Sequence, residues 1–210
     1  MRLFHVTAIV PACVFLSGCG GGSGINSTSS SPTLNNLKTN TTFDRSVAIL
    51  SFDENAPAGS AFSISYVASS KSYTLTRGTT TTTFDDASVK APPTGEIGRN
   101  APASEITYYD KSTATSTSAL FLTKTGGANQ TRYVGGGLWA HGDASHGEID
   151  SFSYGLKTAD TAVPRTGSAD FNIRMLGSSL IDGGDRALLG EGNVSADFAG
   201  GALTLNGLLR

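Results

Sequence analysis

One pattern recurs along most of the chain and limits what it can fold into: apolar and polar side chains alternate with a period of two. In GSADFNIRMLG, Ala169, Phe171, Ile173 and Met175 fall on one side of an extended backbone, and Asp170, Asn172 and Arg174 fall on the other. GNVSADFAGGALTLNG repeats the device with Val194, Ala196 and Phe198, then turns at Gly200-Gly201 into Leu203 and Leu205. AFSISYVAS groups Phe62, Ile64 and Tyr66, and KSYTLTR groups Tyr73 and Leu75, with Ser69-Ser70-Lys71 as the turn between them. TTTTTF supplies a third strand. SALFLTKT and TRYVGGGLWA flank Gly126-Gly127-Ala128-Asn129 and read as another hairpin. Strands therefore come about every ten residues, and no long helical period follows the N-terminus. This spacing predicts an all-β fold, an antiparallel sandwich or barrel.

Composition narrows the partners. The chain has 210 residues, enough for one domain or a small domain with a side module. Charged residues make up 15% and the formal net charge is −2, so no basic field draws in nucleic acid. Threonine runs such as TRGTTTTTF favour extended backbone.

The N-terminus reads as an export signal. Arg2 gives a positive start, and LFHVTAIVPACVFL is an apolar stretch of about 14 residues, too short to span a bilayer comfortably and interrupted by Pro11. Leu16-Ser17-Gly18-Cys19 then resembles the bacterial lipobox, in which the cysteine thiol is acylated and becomes the new N-terminus. The resemblance implies a signal peptide over 1–18, a palmitate-type lipid on Cys19 and a membrane anchor. Gly20 after the cysteine favours the outer membrane. Each buried CH₂ of an acyl chain contributes ~0.8 kcal/mol, so two or more chains hold firmly. A domain cannot begin at the headgroups, and the Gly/Ser-rich segment over 19–41 is expected to be a disordered tether reaching ~25 Å. With Cys13 removed and Cys19 acylated, no thiol remains for a disulfide, a zinc site or a nucleophile.

Farther along, YVGGGLWAHGD, FSYGLKTADTAVPRTGSADFNI and GEGNVSADFAGGALTLNG together resemble the β-barrel domain of transferrin-binding protein B and its lipoprotein relatives. The matching positions are Gly137, Trp139, Gly155, Thr158, Pro164, Gly167, Ala169, Phe171, Gly192, Asp197 and Phe198. ISYVASSKSYTLTRGTTTTTF resembles the small handle module of these proteins. The resemblance implies a handle-like region over 42–115 and an antiparallel up-and-down β-barrel over 116–210. About six strands follow Ser116, so the barrel is expected to be incomplete, with open edges that invite pairing. It also implies a surface-exposed, non-enzymatic lipoprotein without a cofactor. Its ligand would be a protein or an iron- or haem-carrier. A structural or adhesive surface protein without a specific small ligand is the alternative.

One cluster could hold a metal. HGDASHGEID offers His141, Asp143, His146, Glu148 and Asp150, a ligand set suited to zinc or iron, but the spacing fits no standard motif. The reading adopted for the same residues is a polar, glycine-punctuated loop after the Trp139 strand with two solvated histidines, and no metal is assigned. Asp182 and Asp185 around Gly183-Gly184 supply too few oxygens for calcium and read as a turn. Ser, His and Asp are present without a G-x-S-x-G elbow, so no catalytic residue is assigned.

Overall fold

The computed structural model describes residues 13–17, 32–51, 61–93, 104–127, 130–143, 145, 147–157, 164–181 and 184–209. Apart from two single-turn 3-10 segments, their regular structure is all β. In chain order the strands are β1 (Cys13–Ser17), β2 (Thr41–Thr42), β3 (Asp44–Ser51), β4 (Phe62–Val67), β5 (Ser72–Arg77), β6 (Thr80–Phe84) and β7 (Val89–Lys90). They continue with β8 (Ile106–Asp110), β9 (Ser116–Thr123), β10 (Val134–Asp143), β11 (Gly147–Gly155), β12 (Ser168–Ile181), β13 (Gly184–Asp197) and β14 (Ala202–Leu209). They form three sheets, in the orders β2-β4-β5-β6, β3-β11-β10-β9-β8-β7 and β1-β12-β13-β14, and every pairing is antiparallel.

Alternation decides the faces. Phe62, Ile64, Leu75 and Phe84 are buried on one side of the four-stranded β2-β4-β5-β6 sheet. They pack in one cluster with Tyr109, Leu120, Leu122, Trp139, Phe152 and Tyr154 of the six-stranded sheet. Phe43 and Leu34 join from the chain just before β3. Full burial of a Phe or Leu contributes roughly 1.5–3 kcal/mol, so this aromatic layer dominates the stability of the pair of sheets. Glycines in β10 make room for it. A Cβ on Gly137 would lie 2.5 Å from Phe152 Cζ and 2.9 Å from the Phe121 carbonyl, and one on Gly135 would meet the Tyr154 ring. The opposite face of the six-stranded sheet carries a second cluster of Ile106, Phe121 and Leu138.

The sheets divide the chain differently from the order of its hairpins. No closed barrel forms among the described strands: β9, β10 and β11 sit in one sheet and β12, β13 and β14 in another. The β11 edge is taken by β3, and the β12 edge by β1, whose Cys13 to Ser17 pair with Leu176 to Asn172. The strands of the 42–115 region are shared between two sheets. β3, β7 and β8 leave it for the six-stranded sheet, and the 115/116 boundary falls inside the β8–β9 hairpin. Neither sheet can bury its apolar face alone, so the two regions close on each other. Finally, the described end of the 19–41 segment packs on the core. Leu34 is buried, its N–H donates to the Arg132 carbonyl at 2.8 Å, and Leu37 packs on the same core. Two leucines in a polar run gain by burial, and β2 follows at once. Residues 18–31 lie outside the described residues.

Four tyrosines meet at one end of the core. Tyr73 lies 5.2 Å from Tyr66, 6.3 Å from Tyr109 and 6.4 Å from Tyr154, between ring centroids. Burial, reinforced by the neighbouring Tyr66 phenol, pushes the Tyr73 hydroxyl up to about 12. Burial raises Tyr109 and Tyr154 as well, with Tyr73 as the next cause in both. An unfolded tyrosine ionises near ~10. Between about pH 10 and 12 the unfolded chain has therefore lost protons that the folded chain keeps, and stability falls as pH rises. Below about pH 10 the contribution is complete. Tyrosinate absorbance and near-ultraviolet circular dichroism are expected to change together in one cooperative step within that window. Smooth ionisation of all tyrosines near pH 10 with the fold intact would contradict this packing.

Candidate functional site

Charge enters the aromatic layer at one place. On β5 the face that carries Tyr73 and Leu75 also carries Arg77, because the three are two residues apart. On β10 the same rule puts His141 beside Trp139, and on β11 it puts Glu148 and Asp150 in line with Phe152. Register then sets the rows. Trp139 is opposite Asp150 and Leu120, and His141 is opposite Glu148 and Ser118.

Asp150 is fully buried at the centre. Its Oδ2 lies 3.1 Å from His141 Nε2, and its Oδ1 lies 3.7 Å from Arg77 Nε. Glu148 Oε2 is 3.6 Å from His141 Nε2 and is partly exposed. The imidazole stacks on the Trp139 indole with centroids 4.0 Å apart and planes inclined by 32°. Asp150 Oδ1 and Trp139 Nε1 have no hydrogen-bond partner among the described residues. The carboxylate is balanced there by the guanidinium through charge.

His141 is 6% exposed and belongs to a strand, not to a solvated loop. Asp143 ends β10 at the surface, where its Oδ1 accepts the Ser145 N–H at 2.7 Å. Glu148 faces His141, and His146 lies outside the described residues. Among the described residues no group of three or more His, Cys, Asp or Glu is arranged to hold a metal. The types for acyl transfer do line up as Ser118, His141 and Glu148, but Ser118 Oγ donates to Thr82 Oγ1 at 3.2 Å, away from the imidazole. The cluster therefore acts as a clasp: Arg77 belongs to one sheet, and Asp150 and His141 belong to the other. Cys19, the expected lipidation site, is outside the described residues.

A second surface was not singled out by sequence reasoning. The outward face of the four-stranded sheet carries hydroxyls in two cross-strand rows, Thr42-Ser65-Thr74-Thr83 and Ser63-Thr76-Thr81. Thr74 and Thr83 share a hydrogen bond of 2.9 Å, and Thr76 and Thr81 one of 3.1 Å. Both features were readable. Arg77 shares the parity of Tyr73 and Leu75, and a charge on an apolar face signals a buried partner. The outward residues of FSIS, YTLT and TTTT are all Ser or Thr.

Comparison of the chain with known protein families, with curated proteins and with solved structures gave no match. The class that the fold defines is an all-β protein of three antiparallel sheets with a charged clasp between two of them.

Removing one member of a buried pair leaves the other uncompensated, at a cost of about 3–5 kcal/mol. Asp150→Ala is expected to lose that much in urea unfolding, and Arg77→Met combined with Asp150→Leu to regain most of it. A loss below about 1 kcal/mol for Asp150→Ala, the range of exposed pairs, would show that no charge is buried here.

Proposed function

We propose that this protein is a non-enzymatic lipoprotein of the bacterial outer membrane, anchored through acylated Cys19 and displaying its β domain at the cell surface to bind a protein or an iron- or haem-carrier. The observation that carries the reading is Leu16-Ser17-Gly18-Cys19 directly after an apolar tract with Arg2 at its head. The resemblance to transferrin-binding protein B-like lipoproteins supplies the ligand class. The sheet connectivity is compatible with their barrel: β7 to β11 run as consecutive antiparallel neighbours, and so do β12 to β14. Closing such a barrel takes a β11–β12 pairing. Signal removal would free the β12 side, because β1 lies within the segment removed. Recognition would then fall to loops and outer faces, since the inner faces are occupied by rings and by the clasp.

A second reading, an adhesive surface protein without a specific small ligand, is favoured by the hydroxyl rows on the outward face of the four-stranded sheet. Hydroxyls both donate and accept, and an uncharged face suits contact with a broad polar surface.

Cells grown with labelled palmitate are expected to label the wild-type chain and to sediment it with membranes. Cys19→Ser should abolish the label and release the protein. Equal labelling of the two, or wild-type protein free in the culture fluid, would overturn the anchored reading. For anchored protein, retention of an iron- or haem-carrying protein from a defined panel supports capture. Empty columns, together with adhesion lost from cells lacking the protein, support the adhesive reading.

A further inference from the structure

Two of the terminal strands in these sheets are poor templates for further pairing. β2 and β7 are two residues long, and β7 carries Lys90, both of which discourage edge-to-edge contact. β14 is the opposite case. It is eight residues long, stands at the end of its sheet, and Ala202–Leu209 contains neither a charged residue nor a proline. Residues 201–207 are all exposed, including Leu203 at 76% and Leu205 at 56%.

The leucines finish an apolar face. Phe171, Val194 and Leu205 form one cross-strand row, and Ala169, Ala196 and Leu203 form the next. Ala196 is buried, so the face is covered at its middle strand and open at β14. The reverse face is polar, with rows of Asp170, Ser195, Thr204 and of Asn172, Asn193, Asn206. Ser195 Oγ donates to Asp170 Oδ1 at 2.6 Å, and Asn193 Nδ2 donates to Asn172 Oδ1 at 2.8 Å. β14 thus offers three things at once: unpaired backbone groups along its outer edge, leucines on one side and hydroxyl and amide groups on the other.

We propose that β14 is a self-association edge, at which two copies of this chain pair β14 with β14 antiparallel about a two-fold axis at Thr204. Such an interface uses the same patch on both copies and must be self-complementary. Here it is. The axis sets Leu203 of one copy opposite Leu205 of the second copy, twice over, and Thr204 opposite Thr204. A one-residue slip would set Leu205 against Thr204 and split the apolar face, and a two-residue slip would set one leucine against its own copy and the other against a glycine. The strand has no charge to repel its own copy. Of the two carboxylate residues that pair with β14 from the next strand, Asp197 opposite Ala202 and Glu191 opposite Leu208, Asp197 already accepts the Ala199 and Gly200 N–H groups at 3.0 Å each. Only another strand can satisfy the backbone edge and the leucines together. The proposal goes beyond the anchored binder and does not depend on acylation.

Sedimentation of the purified full chain should give twice the 21.5 kDa mass of one chain at micromolar concentration. Leu203→Lys with Leu205→Lys should halve the mass and leave the β circular dichroism unchanged. In a Cys13→Ser, Cys19→Ser background, Thr204→Cys should form a disulfide-linked dimer under mild oxidation, whereas Ser195→Cys, one strand in, should not. If the lysine variant fails to fold, the cysteine pair decides. A wild-type monomer, a folded lysine variant that stays dimeric, or equal cross-linking at 195 and 204 overturns the proposal.

Discussion

Phe62 lies against Phe152 at 4.9 Å and near Trp139 at 6.4 Å, and that contact between two sheets is the constraint the remaining structure serves. Each sheet on its own is a half-apolar surface. Brought face to face, they bury one layer of aromatic rings and give the chain its main core. Local features follow from that demand. Glycine appears at Gly135 and Gly137 because the Tyr154 and Phe152 rings occupy the space their side chains would need. The backbone before β3 is drawn in because Leu34 and Phe43 extend the same layer. Arg45 Nε donates to the Phe62 carbonyl, tying β3 of the large sheet to β4 of the small one.

A charge cluster inside such a layer is not there for raw stability. Buried pairs bear heavy desolvation, and apolar replacements of similar volume are often as stable or better. Arg77 and Asp150 add alignment. The aromatic rings alone would tolerate some sliding of one sheet over the other, because dispersion contacts are individually weak and non-directional. A guanidinium facing a carboxylate is less forgiving. A one-residue slip of β5 in its sheet would turn Thr76 inward and carry Arg77 to solvent, stranding Asp150. His141 then secures the carboxylate from its own sheet, and its stacking on Trp139 sets the angle at which Nε2 arrives.

Much of this is legible in the sequence, at the level where period-two alternation speaks. The β4–β5 and β13–β14 hairpins, the inward grouping of Phe62, Ile64 and Tyr66, and the turn at Gly200-Gly201 follow from local pattern and local turn chemistry. What alternation cannot report is which sheet a strand joins. β3 falls in the first region, yet it pairs with β11 far along the chain, and β8, with β7 beside it, is carried into the same sheet through its hairpin with β9. Alternation leaves a sandwich and a barrel equally open; here β3 and β1 take the edges through which β11 and β12 would meet in one sheet. The HGDASHGEID segment misled for a related reason. Its polar residues and glycines read as a loop, whereas the strand period sends His141 inward, and Asp143 reaches the surface because β10 ends there. The clasp was half visible: Arg77 has the parity of a core residue, but its partner lies 73 positions away and only the sheet-on-sheet packing selects it.

Function is constrained by where the chemistry is spent. The interior between the six-stranded sheet and the β2-β4-β5-β6 sheet is committed to rings, and Arg77, Asp150 and His141 are committed to each other. A ligand inserted there would have to displace Phe62 or break the Arg77–Asp150 contact, losing burial worth roughly 1.5–3 kcal/mol per aromatic side chain before any gain. Outer surfaces carry no such penalty. The hydroxyl rows of the four-stranded sheet and the leucine edge of β14 differ in kind: one is polar and uncharged, the other apolar with open backbone groups. The first can exchange its hydrogen bonds with water at little net cost, which suits weak and repeated contact. The second gains only when another strand removes it from water. A domain built this way can therefore separate two tasks, contact with its surroundings on one sheet and association with its own kind on another, without either disturbing the packed core between.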